Sequence, residues 1–282
     1  MRIFGPKRQQ AVSDNSPSLW RHALPCPKRD DYKYSRGTVL VRGGAVMTGA
    51  ARLAARAAQR MGAGLVTLAV PETARSIYAQ AMESVIVRPA DTTVEWRSIL
   101  GTGRPAAALI GPGLGAGDGT KADVLAALER RLPTVVDADG LTAFADDPSK
   151  LLKALHGGCV LTPHEGEFAR LFGISKDDKI ARAKVAARWA GCVVLLKGAD
   201  TVIATPDGKV RVNRHTTPWL ATAGSGDVLA GMIAGLMAQG MVPFDAASAA
   251  AWMHGDAALR VGAGLIAEDL VAEIPSILKQ FF

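Results

Sequence analysis

AAALIGPGLGAGDGTKADVLAALERRLPTVVDADG, residues 106–140, holds the repeating unit of the fold. An apolar run closing in glycine (Ala106–Gly113) is followed by a stretch with helical spacing, then by a second apolar run ending in acid (Thr134–Gly140). Parallel strands need a crossover between them, usually a helix, and the helices bury both sheet faces, so such strands read as unbroken apolar runs. The same rhythm extends outward in both directions. TVLVRGG (Thr38–Gly44), the helical GAARLAARAAQRM (Gly49–Met61), LVTLAVP (Leu65–Pro71) and ESVIVRP (Glu83–Pro89) precede it. GCVLTPH (Gly158–His164) and CVVLLKG (Cys192–Gly198) follow, with helical stretches between most runs. Strand–helix alternation of this kind predicts an α/β domain with a mainly parallel central sheet.

After Lys197 the pattern changes. DTVIATPDGKVRVN (Asp200–Asn213) has a D-G turn between two short alternating runs, which predicts a hairpin. Three helices are expected next: Ser225 to about Gln239, Pro243 to about Val261, and Ile266 to about Leu278. Residues 1–36 are polar, basic and rich in proline, without a period, and are read as an irregular arm ahead of one domain spanning 37–282.

Composition narrows the function. Apolar residues make up 49% of the 282 residues and aromatics only 5%, so the core is built from small aliphatic side chains. The net charge is +7, yet residues 1–60 hold twelve Lys/Arg against three Asp/Glu, which leaves the rest slightly acidic. That basic third lacks the interleaved aromatics of a nucleic-acid stacking platform and favours small anions instead. No segment reads as a signal peptide or membrane span, since the uncharged run Val228–Phe244 is short and contains Pro243. Cys26, Cys159 and Cys192 are too far apart for a metal or disulfide framework and fit a reducing cytoplasm.

In a parallel α/β sheet, ligands bind beyond the carboxyl ends of the strands. That rule selects Gly111–Gly115, Asp137 with Asp139, His164, and Lys197-Gly198-Ala199-Asp200-Thr201. TAGSGDVLAGMIAG (Thr222–Gly235) joins them because it begins a helix. Gly224, Ser225 and Gly226 open the first turn, whose unpaired N–H groups suit an anion. Asp227 follows at the head of an apolar helix, where it either complements the dipole behind a Ser225 cap or serves as a general base. Asp137 and Asp139 share one face of an extended strand, so both contact a ligand or Mg2+ through water, or Asp139 caps the next helix. Thr162 and Glu165 form a capping box with Pro163 at the first helical position, leaving His164 to face the cleft. Lys197 either holds a nucleotide phosphate or snorkels from a turn. His22, His156, His215 and His254 are read as structural.

The order of these stretches is more specific than any one of them. KYSRGTVLVRGG, TGAARLAARAAQRMGAGLV, LIGPGLG, VVDADGL, LTPHEGEF, LLKGADT and ATAGSGDVLAG together resemble the ADP-dependent NAD(P)H-hydrate dehydratases, from Lys33 to the end of the chain. The resemblance implies a ribokinase-like three-layer α/β/α fold. It also implies a hydro-lyase that uses ADP to dehydrate the hydrated (6S) form of NADH or NADPH, releasing AMP and phosphate. Asp227 would be the catalytic acid–base group, and Gly224, Ser225 and Gly226 the anion hole. Ala50, Gly113, His164 and Asp227 would contact substrate, and Lys197, Gly198, Ala199, Asp200, Thr201 and Gly226 the nucleotide. Mg2+ would accompany ADP, with no protein metal site. The implied partners are the small-molecule substrates, further copies of the chain in a homo-oligomer, and a separate NAD(P)H-hydrate epimerase, with neither nucleic acid nor membrane. TPWLATAGSGD departs from the family's usual pattern, with Trp219 and Ala223 replacing glycines and Ser225 a threonine; Glu165 replaces a frequent proline. A superfamily kinase resembling hydroxyethylthiazole kinase, or a nucleotide sensor without catalysis, would share most of these features.

Overall fold

The computed structural model describes residues 12–282. The chain begins with β1 (Val12–Asp14), β2 (Thr38–Arg42), α1 (Thr48–Arg60), β3 (Leu65–Val70) and α2 (Glu72–Ala81). It continues with β4 (Ile86–Pro89), α3 (Thr93–Thr102), β5 (Ala107–Ile110), α4 (Asp118–Glu129) and β6 (Thr134–Val136). Then come α5 (Asp139–Thr142), α6 (Pro148–Ala154), β7 (Cys159–Leu161), α7 (Glu165–Phe172), α8 (Lys179–Ala190) and β8 (Val193–Leu196). The last elements are β9 (Thr201–Ala204), β10 (Val210–Asn213), α9 (Ser225–Ala238), α10 (Pro243–Val261) and α11 (Ala267–Leu278).

The strands form one sheet in the order β1-β10-β9-β8-β7-β6-β5-β2-β3-β4. Pairing is parallel from β8 through β4, whereas β9 runs antiparallel to both β8 and β10 as the expected hairpin. Side chains of α1, α2, α9, α10 and α11 fill one core against the sheet. Those of α3 to α8 fill a second core on its other face. Three layers result, as the alternation predicted. Among the described residues no helix is long and apolar enough to cross a membrane.

Residues 15–36 and β1 differ from the irregular arm read in the sequence; the first eleven residues of that arm lie outside the described residues. β1 adds a parallel strand at the edge of β10, and two short 3-10 turns follow it. Trp20 is fully buried against Trp252 and Phe281, and its indole N–H donates to Asn15 at 3.2 Å. A single indole in a polar stretch carries no periodic signal, yet it anchors the segment to α10.

α9 runs through the middle of its layer, with every residue from Val228 to Ala238 buried. Its glycines allow the backbone of α1 to touch it. A Cβ added to Gly231 would lie 2.1 Å from the Ala54 carbonyl oxygen, and one on Gly235 would lie 2.7 Å from that of Ala58. Side chains would hold the two helices apart, so glycine at these places sets their separation.

Candidate active site

The carboxyl ends of β2, β5, β6, β7 and β8 open on one edge of the sheet. Strand order reverses between β2 and β5, the switch point where α/β proteins place their ligands. Gly113 follows β5 with φ +69°, and Ala50 lies on the first turn of α1. The Ala50 methyl is 3.3 Å from where a Gly113 Cβ would stand, so these two residues form one floor. A cavity of about 510 Å³ is lined by Gly113 together with Arg42, Gly44, Met47 and Asp139; Ala50 touches Gly113 from behind without lining it.

Asp137 and Asp139 do not share a face as expected from an extended strand. Between them Ala138 takes φ 47°, ψ −121°, a region costly for a residue with a side chain. The kink separates the two acids. Asp139 accepts from the Gly115 N–H at 2.8 Å and ties down the glycine loop rather than capping α5. Asp137 is buried and accepts from Lys197 Nζ at 2.8 Å.

The helix after β7 also begins later than expected. The Pro163 carbonyl still accepts the Lys197 N–H, so the chain stays extended there. Thr162 is buried in the sheet and His164 becomes the cap. His164 Nδ1 accepts from the N–H groups of Gly166 and Glu167, and the Glu167 carboxylate accepts from the His164 N–H. That bonding assigns the ring proton to Nε2, which stands 3.4 Å from Glu167 Oε1. The imidazole is exposed above the cleft. Glu167, which the sequence reading passed over, lies inside it, 3.9 Å from Lys197 Nζ.

α9 starts at the same edge. Gly224 is its cap, in the left-handed region at φ 86°, which puts Ser225 inside the helix rather than at the cap. The Ser225 hydroxyl donates to the Leu220 carbonyl at 2.9 Å and closes the loop behind the turn. Its N–H is directed at the Thr222 carbonyl at 3.4 Å, whereas those of Gly226 and Asp227 have no acceptor among the described residues. Lys197 Nζ is 3.4 Å from where a Cβ on Gly226 would lie, so the ammonium faces the helix start.

Electrostatics distinguish the groups. Burial, reinforced by Asp137 and opposed by Lys197, pushes the Asp227 carboxyl up to about 7. Glu167 is raised by burial and Asp137, against the pull of Lys197. Burial disfavours the Lys197 charge, but Asp137 and Glu167 outweigh it and raise this ammonium above its ordinary value. His254, read from sequence as structural, sits behind the anion site. Burial pushes it down to about 4, and its neutral Nε2–H donates to the Ser225 carbonyl at 2.9 Å. It lies on α10, 29 residues beyond Ser225, a separation that gives no sequence signal.

A second cavity, of about 490 Å³, opens beside the α9 tip. Lys197, Gly198, Ala199 and Thr201 line it together with Thr217, Leu220, Ser225, Gly226, Leu229 and His254. Asp200 is not among the lining residues; it turns outward to Arg214. Trp219 is exposed on the short turn whose neighbours Pro218 and Leu220 form the rim. The structure thus brings Lys197, Gly226, Asp227 and the Gly113–Ala50 floor to one edge, places His164 above it, and leaves Asp200 outside.

The three-layer α/β/α architecture is ribokinase-like. A ribokinase-like superfamily protein from Enterococcus faecalis superposes with a TM-score of 0.86 at 23% identity, covering 96% of each chain. The family model for NAD(P)H-hydrate dehydratase matches residues 38–278, and the chain belongs to that family. It is 36% identical to the ADP-dependent (S)-NAD(P)H-hydrate dehydratase of Neisseria meningitidis, over 96% of this chain and 93% of the relative. It superposes with a TM-score of 0.83, at 28% identity over 96% and 99% of the chains, on the Bacillus subtilis ADP/ATP-dependent NAD(P)H-hydrate dehydratase co-crystallised with ATP and Mg2+. The chain spans about half the length of the bifunctional NAD(P)H-hydrate repair enzymes it also matches at 41% identity.

Proposed function

We propose that this chain dehydrates the (6S) hydrate of NADH and NADPH at the expense of ADP, restoring the reduced cofactor. The observation that carries the reading is Asp227, a half-buried carboxyl at the head of α9 beside unpaired N–H groups and the Lys197 ammonium. The Gly226 side holds the nucleotide, with Lys197, Gly198, Ala199 and Thr201 framing its cavity; the Gly113–Ala50 side, under His164, holds the hydrated nicotinamide. Asp227, ionised, takes the proton of the C6 hydroxyl as its oxygen attacks the terminal phosphorus of ADP. The bond from that phosphorus to the bridging oxygen breaks and AMP leaves. Negative charge on the transferring group is met by the N–H groups of Gly226 and Asp227 and by Lys197. In the resulting phosphate ester, the lone pair of the ring nitrogen expels phosphate from C6, and loss of a C5 proton restores the double bond.

Among the described residues no three His, Cys, Asp or Glu side chains converge as a metal cage, and Asp137 and Glu167 both face Lys197. The residues present therefore do not fit a protein-bound ion, and the Mg2+ expected for phosphoryl transfer would travel on the diphosphate. The buried free thiols Cys159 and Cys192 support a cytoplasmic setting. The reading adds a homo-oligomeric assembly, and an NAD(P)H-hydrate epimerase as partner, the latter supported by the bifunctional repair enzymes among the relatives. The test is incubation of the protein with NADH hydrate and either ADP or ATP. Recovered NADH fluorescence with equimolar AMP and phosphate is expected from ADP. A stable phosphate ester would make the protein a kinase, and nucleotide binding with no product would make it a sensor.

A further inference from the structure

β6 and β8 are not neighbours; β7 lies between them. Two strand spacings make a gap of about 10 Å, which only a long side chain spans. Lys197 spans it, passing the exit of β7 to reach Asp137 at 2.8 Å. The acid is aimed by its own backbone. Its N–H donates to the Ile110 carbonyl, its carbonyl accepts from the Gly140 N–H, and the chain reverses through the strained Ala138. Gly111 leaves room for that reversal, since a Cβ there would lie 1.7 Å from the Asp137 carbonyl oxygen. Strain of this kind persists only where surrounding structure enforces it, and it gathers at functional sites. Lys197 Nζ stands 3.4 Å from where a Cβ on Gly226 would lie, so the ammonium that Asp137 holds faces the start of α9.

We infer that Asp137 is a positioning residue, whose carboxylate anchors the Lys197 ammonium at the mouth of α9 so that the cation meets the transferring phosphoryl group. The inference rests on the proposed dehydratase reading for its chemistry, but the anchoring itself is a property of the free protein. Without the anchor, Lys197 has rotamers that leave the helix start. A misplacement of about 1 Å can cost ~10²-fold in rate.

The experiment compares wild type, D137N, K197M and the double variant in the full chain. Steady-state NADH recovery, melting temperature and side-chain ammonium NMR are measured for each. D137N is expected to lower kcat about tenfold to 100-fold while KM for the hydrate changes less than about twofold. The double variant should be no slower than K197M, because Asp137 acts through Lys197. D137E, which keeps the carboxylate one methylene further out, should recover part of the loss, and it reads the same contact if D137N fails to fold. In the free protein, Lys197 should give an exchange-protected ammonium signal that D137N abolishes. An unchanged kcat in D137N, multiplying losses in the double variant, or a Lys197 signal indifferent to D137N would each overturn the inference. A wild type that shows the protected signal yet restores no NADH would overturn the dehydratase reading alone.

Discussion

Replacing Asp227 by Asn should slow turnover by ~10²–10⁴-fold and at the same time stabilise the protein. Burial and Asp137 lift this carboxyl from 3.8 to about 7. Folding therefore raises its affinity for a proton. The folded state loses stability as pH climbs from about 4 to about 7, and the penalty is constant above that range. At ~1.4 kcal/mol per pKa unit, the rise amounts to about 4 kcal/mol, an upper bound because the amide must itself find partners in the site. An unfolding entropy of ~2.1 cal/mol/K per residue gives a chain of this length about 0.6 kcal/mol per degree. Asp227→Asn is thus expected to melt about 3 to 7 °C above wild type near pH 8 and within about 1 °C of it near pH 4. The assay is scanning calorimetry at both pH values beside NADH recovery, in which loss of the base removes ~10²–10⁴-fold of the rate. Wild-type kcat/KM should rise with pH through about 7, where the free enzyme's carboxyl ionises. A variant no more stable than wild type near pH 8, or one with the same offset at both pH values, would refute the claim that the site is held at a cost in folding energy.

Gly231→Ala should cost about 3 kcal/mol or more by driving a methyl into the Ala54 carbonyl, read as a lower denaturation midpoint at unchanged m. His254→Ala removes the donor to the Ser225 carbonyl; it should cost about 1–3 kcal/mol and weaken ADP binding in calorimetry, because the turn that frames the nucleotide cavity loses its support. Trp20→Ala should cost about 3–5 kcal/mol in a denaturant melt, since it empties the fully buried space between Trp252 and Phe281.

The sheet could be read from the sequence because parallel strands covered on both faces leave unbroken apolar runs, and each such run from Thr38 to Gly198 contains or overlaps a strand. α10 spans Pro243–Val261, the limits its proline start and following glycine signalled. Where two local signals competed, tertiary bonding decided. TPHEGEF contains both Thr162-x-x-Glu165 and His164-x-x-Glu167, and the bond from Lys197 to the Pro163 carbonyl selects the second. β1 was not legible because three residues at an edge, VSD, become a strand only when β10 supplies the partners. The candidate site divides in the same way. Asp227 and the glycines before it are contiguous and stand out. The Asp137–Lys197–Glu167 cluster joins three strand exits 30 residues apart or more in places, and the kink that aims Asp137 is made by an alanine, the last residue a reader would suspect of a left-handed turn.

The contact between α9 and α1 restricts how this protein can change over generations. Where two helices meet through main-chain atoms, a larger residue on one cannot be offset by trimming its partner, because Ala54 and Ala58 touch through carbonyls that every amino acid carries. Compensating pairs of substitutions, the ordinary route by which cores drift, are closed at Gly231 and Gly235. Lineages that keep the active turn in place must keep these glycines too, although neither lines either cavity.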